Sequence, residues 1–209
     1  MSHEILLDVG CGNGWLVSIT NDLNTKYLGL EPSRGIIKKA WKQKHTKSRS
    51  ADAAFIIASA THIPIRNSSI PLIVCNHVLE HILNDKVALD EISRVSQKDG
   101  RMFLAVPNHY SRMYPILWPW YKVVDLKLMH LRHYKAENLV TELNMRSFIC
   151  KRIIYTAHIF KALAQFLALL CRRIKYAQSP LWWKLEELDM MFKNVPCGGH
   201  FYIYSTKKK

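Results

Sequence analysis

The sequence predicts an α/β fold, a doubly wound and mostly parallel sheet with helices on both faces, and three observations lead to it. Short apolar runs alternate with helix-period segments through the first half of the 209 residues. One such run, residues 5–9, ends in an acid and three alternate glycines, Asp8, Gly10, Gly12 and Gly14. A second, residues 27–30, ends in Glu31, about 20 residues beyond that turn, where folds of this kind carry a ribose-binding acid.

Residues 5–9 form the first predicted strand. Glycine tolerates positive φ and lacks a Cβ, so Gly10, Gly12 and Gly14 permit a sharp strand-to-helix turn that a ligand can approach closely. The helix expected next covers residues 15–21, with Trp15, Leu16, Val17 and Ile19 as apolar positions. Its free N–H groups would face the ligand. The spacing G-x-G-x-G differs from the dinucleotide fingerprint G-x-G-x-x-G, which would need a glycine where Trp15 stands. Residues 26–30 give the second strand and 34–43 a helix; residues 54–58 and 72–76 give the third and fourth strands. A helix over 85–96 packs Val87, Leu89, Ile92 and Val95, and residues 101–106 form the fifth strand. A carboxylate at the end of the second strand can accept both ribose hydroxyl protons, each such bond contributing roughly 1.5–3 kcal/mol.

Four blocks in this order resemble class I S-adenosylmethionine-dependent methyltransferases of the type-11 group. They are residues 6–14; residues 27–33; residues 58–65 leading to Val78-Leu79-Glu80-His81-Ile82; and Leu89-Asp90-Glu91-Ile92 leading to residues 100–108. The resemblance implies a Rossmann-like seven-stranded sheet, S-adenosylmethionine as cofactor, and a set of contacts position by position. Gly10, Cys11, Gly12 and Gly14 would lie under the methionine and ribose, with Asp8 holding the loop and the amino group. Glu31 would take the ribose hydroxyls, Pro32 would lie beside the adenine, Ser59 and Ala60 would meet the adenine edge, and Asn76 and His77 would approach the methionine moiety. Three departures stand out. Ser59 replaces the usual acid, which weakens adenine selection. Pro71 replaces an Asp and is expected at the first residue of the fourth strand, where no ladder donor is lost. Only four residues precede the first strand where relatives carry one or two lid helices, so either the chain is shortened or a lid comes from elsewhere.

The length suits one domain covering residues 1–209. Cys11, Cys75, Cys150, Cys171 and Cys197 have no C-x-x-C spacing, which argues against a disulfide framework or a zinc module and fits a reducing, cytoplasmic setting. No secretory pattern begins the chain. Thirty Lys and Arg against 16 Asp and Glu give a net charge of +14, which attracts polyanions: RNA or an anionic membrane surface, unless the excess is merely solvated.

Residues 108–134 change texture. They hold Tyr110, Tyr114, Trp118, Trp120 and Tyr121, three histidines and one acid, Asp125, and they read as a substrate-side insertion in which Pro115 and Pro119 oppose a long regular helix. His130-Leu131-Arg132-His133-Tyr134 precedes a helix over 136–143. Residues 147–155 and 200–205 are expected as the sixth and seventh strands, which the resemblance makes the antiparallel edge. Between them, before the last strand, residues 156–195 form a two-helix insertion. In its first half Ile159, Leu163, Phe166, Leu167, Leu170 and Ile174 share an apolar face opposite Lys161, Gln165, Arg172 and Lys175. Lys161 and Gln165 disfavour a membrane span; a helix lying in a membrane interface and one packed on the domain or a partner both fit. The second half, residues 181–192, is also helical.

A sulfonium donor is already activated, so the protein's tasks are alignment and exclusion of water. A base is needed only for a protonated acceptor, and His81, just past the fourth strand, is the candidate; His77, His109, His130 and His133 are further ones. Scattered histidines without an acid cluster give no metal-site pattern in the sequence. The leading reading is a methyltransferase for a small-molecule or lipid-like acceptor. An RNA methyltransferase and a catalytically inactive methyltransferase-fold binding protein are the alternatives, and a nicotinamide oxidoreductase is disfavoured by Trp15.

Overall fold

A computed structural model describes residues 4–17, 25–47, 53–158, 160 and 180–208. Seven strands, β1 (Glu4–Val9), β2 (Thr25–Leu30), β3 (Ala53–Ile56), β4 (Ile70–Asn76), β5 (Ser96–Pro107), β6 (Phe148–Thr156) and β7 (His200–Lys207), form one sheet in the order β3-β2-β1-β4-β5-β7-β6. Among the described residues five α-helices accompany them: α1 (Arg34–Lys47), α2 (Asp85–Val95), α3 (Trp118–Leu128), α4 (Ala136–Met145) and α5 (Pro180–Met191). The predicted Rossmann-like, doubly wound sheet is the observed one.

Both faces of the sheet are covered, which is why its central strands read as continuous apolar runs. Side chains alternate along β1, so Leu6 joins one core with Tyr27, Ile37 and Ala53 under α1, while Leu7 and Val9 join the larger core on the opposite face. That larger core receives Ala88, Leu89 and Ile92 from α2, and Leu139 and Leu143 from α4. Val87, an expected core position of α2, is exposed instead, and Ala88 takes the buried place.

Three expectations are adjusted. β7 alone runs antiparallel, to β5 on one side and β6 on the other, so β6 has the same sense as the parallel strands. Pro71 is the second residue of β4, not its first. The pairing with β5 jumps from Ile70 opposite Ser96 to Leu72 opposite Arg101, so the irregularity absorbs the missing N–H. β5 begins five residues earlier than the predicted 101.

Within residues 108–134 the prolines do not prevent a helix; they mark its start. Pro119 lies in the first turn of α3, where its missing N–H has no intrahelical partner to lose. Tyr121 anchors α3 by donating to the Ala157 carbonyl at 2.9 Å. Most of the predicted apolar-faced helix of residues 158–175, and residues 18–21 of the first predicted helix, lie outside the described residues. Among the described residues no helix is long and apolar enough to cross a membrane.

Ile73 is fully buried in β4 between β1 and β5. Ile73→Ala should lower the unfolding free energy by about 2–5 kcal/mol, through lost transfer energy and the cavity left behind, as read by urea denaturation.

Candidate active site

The strand order divides at β1, which pairs with β2 on one side and β4 on the other, both parallel. Connections leaving β1 and β4 diverge there and open a crevice at their C-terminal ends. The glycine turn floors it. Gly10 and Cys11 both donate to the Leu30 carbonyl, at 2.7 and 2.9 Å, tying the turn to the end of β2, and Gly14 donates to the Cys11 carbonyl at 2.9 Å. Gly10, Gly12 and Gly14 all have positive φ, +72°, +53° and +76°. Their surroundings differ. A Cβ on Gly10 would strike the Val78 methyls, one on Gly14 would press on Ala40 and Phe55 at 3.2 Å, and one on Gly12 would meet nothing within 4 Å. Gly10 and Gly14 therefore permit close packing, whereas Gly12 faces open space.

A cleft of about 370 Å³ stands over this turn, lined by Gly10, Leu30, Glu31, Pro32, Ile36, Ser59, Ala60, His77, Val78, His81 and Ile82. Glu31 follows β2 directly; its N–H donates to the Ile56 carbonyl at 3.1 Å and its Oε1 accepts the Ser33 N–H at 3.0 Å. The loop carrying Ser59 and Ala60 is fastened from α2: Arg94 donates to the Ile63 and Ile65 carbonyls, each at 2.8 Å, and Glu91 accepts the Ile63 N–H at 2.7 Å. The Ser59 hydroxyl is engaged within its own turn, accepting the Thr61 N–H at 3.2 Å.

Beneath the turn lies Asp8, 4% exposed. The Tyr27 hydroxyl donates to its Oδ2 at 2.5 Å. Burial pushes the Asp8 carboxyl up to about 6 despite that bond. Burial, reinforced by the Asp8 and Glu31 charges, also pushes the Cys11 thiol up to about 12, so Cys11 stays protonated and unreactive near neutrality.

The far wall is polar. His77 has φ +55° and donates from Nδ1 to Glu80 Oε1 at 2.9 Å. Glu80 is fully buried. His81 packs edge-on to His130, ring centroids 5.0 Å apart. His130 Nδ1 donates to Asp125 Oδ1 at 2.7 Å, and His133 Nε2 donates to Asp125 Oδ2 at 2.8 Å while its Nδ1 donates to the Asn108 carbonyl. Tyr110 also donates its hydroxyl to Asp125. Burial alone would push the Asp125 carboxyl up, but Tyr110 and the two imidazoles hold it below the usual range. The whole 130–134 segment is stapled to the loop after β4. Leu131 donates its N–H to the Glu80 carbonyl at 2.9 Å, Arg132 Nη1 pairs with Asp85 at 2.5 Å, and Tyr134 donates to the same carboxylate at 2.8 Å.

Residues 7–104 match the family model described as a methyltransferase domain. An uncharacterised protein of Methanocaldococcus jannaschii is 35% identical over 104 residues, covering 50% of this chain and 41% of that one. The ubiquinone/menaquinone biosynthesis C-methyltransferase of Campylobacter jejuni is 29% identical over 104 residues, covering 46% and 41%. The chain thus spans well under half the length of these relatives in the matched region. Among solved structures, the geranyl diphosphate C-methyltransferase of Streptomyces coelicolor, determined with S-adenosyl-L-homocysteine, superimposes with a TM-score of 0.69 at 13% identity, covering 98% of this chain and 71% of that one, a likeness of fold.

Of the methyltransferase residues expected from the sequence, Gly10, Glu31, Pro32, Ser59, Ala60, His77 and His81 come together around the cleft. Asp8, Cys11, Gly12, Gly14 and Asn76 do not line it: Asp8 and Cys11 are buried below, and Asn76 is the last paired residue of β4, opposite Ala105. Val78, Leu30, Ile36 and Ile82 supply apolar walls that sequence reasoning left unassigned. It also left Glu80 and the role of Asp125 unassigned. The signal was there in Asp125 as the lone acid of 108–134, five positions before His130.

Gly12→Ala should carry only the backbone cost of a left-handed φ, about 1–2 kcal/mol. Gly10→Ala adds the collision with Val78 and should be clearly less stable than Gly12→Ala in parallel thermal melts.

Proposed function

We propose that this protein is an S-adenosylmethionine-dependent methyltransferase acting on a small-molecule or lipid-like acceptor. The observation that carries the reading is the cleft at the C-terminal edge of the sheet, with Gly10 in its floor, a carboxylate wall at Glu31, and open space beside the neighbouring Gly12. These residues fit an adenosyl sulfonium. Gly12 leaves room for a ligand to lie against the backbone, Glu31 offers an acceptor for ribose hydroxyls, and Pro32, Ser59 and Ala60 suit the adenine side. Asp8, a buried carboxylate with no cationic partner among the described residues, suits the ligand's positive end. The bound cofactor supplies an electrophilic methyl group.

The chain's own part is positioning and proton handling. Val78 and Ile82 restrict water, the 80–85 loop and the 130–134 segment fix the acceptor side, and His81 at the lip is the candidate to receive a proton from a protonated acceptor. Residues 108–134 would form the acceptor-side part of a single domain. Support for a lipid-like acceptor, or for docking on an anionic membrane surface, comes from that segment. It exposes Ile116, Leu126, Met129 and Leu131 to solvent on a chain of net charge +14. The same charge is the one observation favouring RNA as acceptor.

Calorimetry with S-adenosylmethionine should show saturable binding that Gly12→Arg abolishes; equal heats for both proteins would reject the pocket. Asp8 sets the pH dependence. Its folded-state pKa is raised, so the free protein holds that proton below about pH 6, and a cationic ligand group favours the ionised form. Binding should therefore strengthen from pH 5 to 7 and release a proton near pH 6, seen as heats that vary with buffer ionisation enthalpy. Asp8→Asn should flatten both effects. Labelling an extract with radioactive donor and separating lipid, RNA, protein and small-molecule fractions assigns the acceptor. Label confined to RNA would overturn the small-molecule reading.

A further inference from the structure

We infer that Glu80, His81 and His130 form a binding site for a divalent first-row transition-metal ion at the acceptor side of the cleft. One carboxylate oxygen of Glu80 and one ring nitrogen from each histidine lie within 4.8 Å of one another. Metal–ligand bonds of about 2.0–2.2 Å would draw them closer by roughly an ångström.

Three features distinguish this constellation from a chance group of polar side chains. Glu80 is 0% exposed, and while Oε1 accepts from His77, Oε2 has no hydrogen-bond partner among the described residues. A buried carboxylate oxygen left unsatisfied is costly, and a cation beside it removes the deficit. His130 is set up as a ligand. Its Nδ1–H is given to Asp125, which leaves the Nε2 lone pair available, the carboxylate–histidine arrangement that orients metal-bound imidazoles. Asp125 is in turn held by His133 and Tyr110, so the orientation does not depend on one contact.

The donor set selects the ion. Two imidazoles and one carboxylate suit zinc, iron(II), manganese(II) or cobalt(II), whereas calcium and magnesium favour all-oxygen shells. With three protein ligands the ion keeps open positions, and His81 also lines the cofactor cleft, so those positions border the space that an acceptor would occupy; with its lone pair on the ion, His81 acts as a ligand there and receives an acceptor's proton only in the metal-free protein. The substrate class this favours is an acceptor with an oxygen or nitrogen able to coordinate the ion. That last point rests on the methyltransferase reading; the metal site itself does not.

The test is a cobalt(II) titration of the full chain, stripped with chelator, followed by visible d–d absorption. Saturation at one equivalent is expected, with displacement by zinc. His130→Ala should abolish the bands, Asp125→Asn should weaken binding about 10–100-fold, and His62→Ala, an exposed histidine outside the cluster, should leave it unchanged. X-ray absorption of the zinc-loaded wild type should show two imidazole scatterers, which keeps the question answerable if His130→Ala does not fold. Absence of saturable bands, bands that persist in a folded His130→Ala, or a zinc shell without imidazole would each overturn the site. S-adenosylmethionine calorimetry on the same samples reads the other proposal separately. Cofactor heat without metal binding sinks only the metal site, and metal binding without cofactor heat sinks only the cofactor pocket.

Discussion

The parallel pairing of β1 with β2 on one side and β4 on the other is the constraint from which the site follows. Because β1 is central, its turn cannot continue over either neighbour and must bend sharply between them. The two N–H groups of that bend, Gly10 and Cys11, are both satisfied by a single carbonyl, Leu30, at the end of β2. One acceptor serving two donors fixes the turn and the start of Glu31 together. The ligand floor and its carboxylate wall are thus one rigid unit, whatever surrounds them.

The acceptor side is built differently. Glu80, Asp125, His130 and His133 lie outside the strands of the sheet; side-chain bonds hold them, together with backbone bonds from Leu131 to Glu80, His130 to Asp125 and Tyr134 to Pro107. Arg132 and Tyr134 both engage Asp85, and Leu131 reaches the Glu80 carbonyl, so residues 130–134 are docked onto the loop leaving β4. An insertion anchored in this way can vary in sequence without disturbing the sheet, which suits a scaffold whose cofactor end is fixed and whose acceptor end is specialised.

This contrast explains what was legible in the sequence. The glycine turn and Glu31 could be read because their chemistry is local: spacing along one strand-turn unit determines where they lie. β6 and β7 could be located from their apolar runs, but not their relative direction, since the chain between them does not announce which way it returns. The Asp8–Tyr27 bond joins neighbouring strands at positions that look like ordinary strand residues. The polar cluster was the least visible part. Its members were each conspicuous, yet Glu80 and His130 meet only because Asp85 captures Arg132 and Tyr134 from a segment about fifty positions away, a contact that no periodicity encodes.

The net charge of +14 describes the molecule and not the site. Asp8, Glu31, Glu80, Asp85 and Asp125 gather at the C-terminal edge of the sheet, and three of them are nearly or fully buried. Buried carboxylates act over short distances in a low-dielectric setting, while surface lysines act through solvent and are screened within about 10 Å at moderate salt. The field a ligand meets inside the cleft is therefore set by these acids. It favours a cationic cofactor and a metal ion over the phosphates of a polyanion, and it leaves the basic surface to act at longer range, where it can draw the protein to an anionic partner without entering the chemistry.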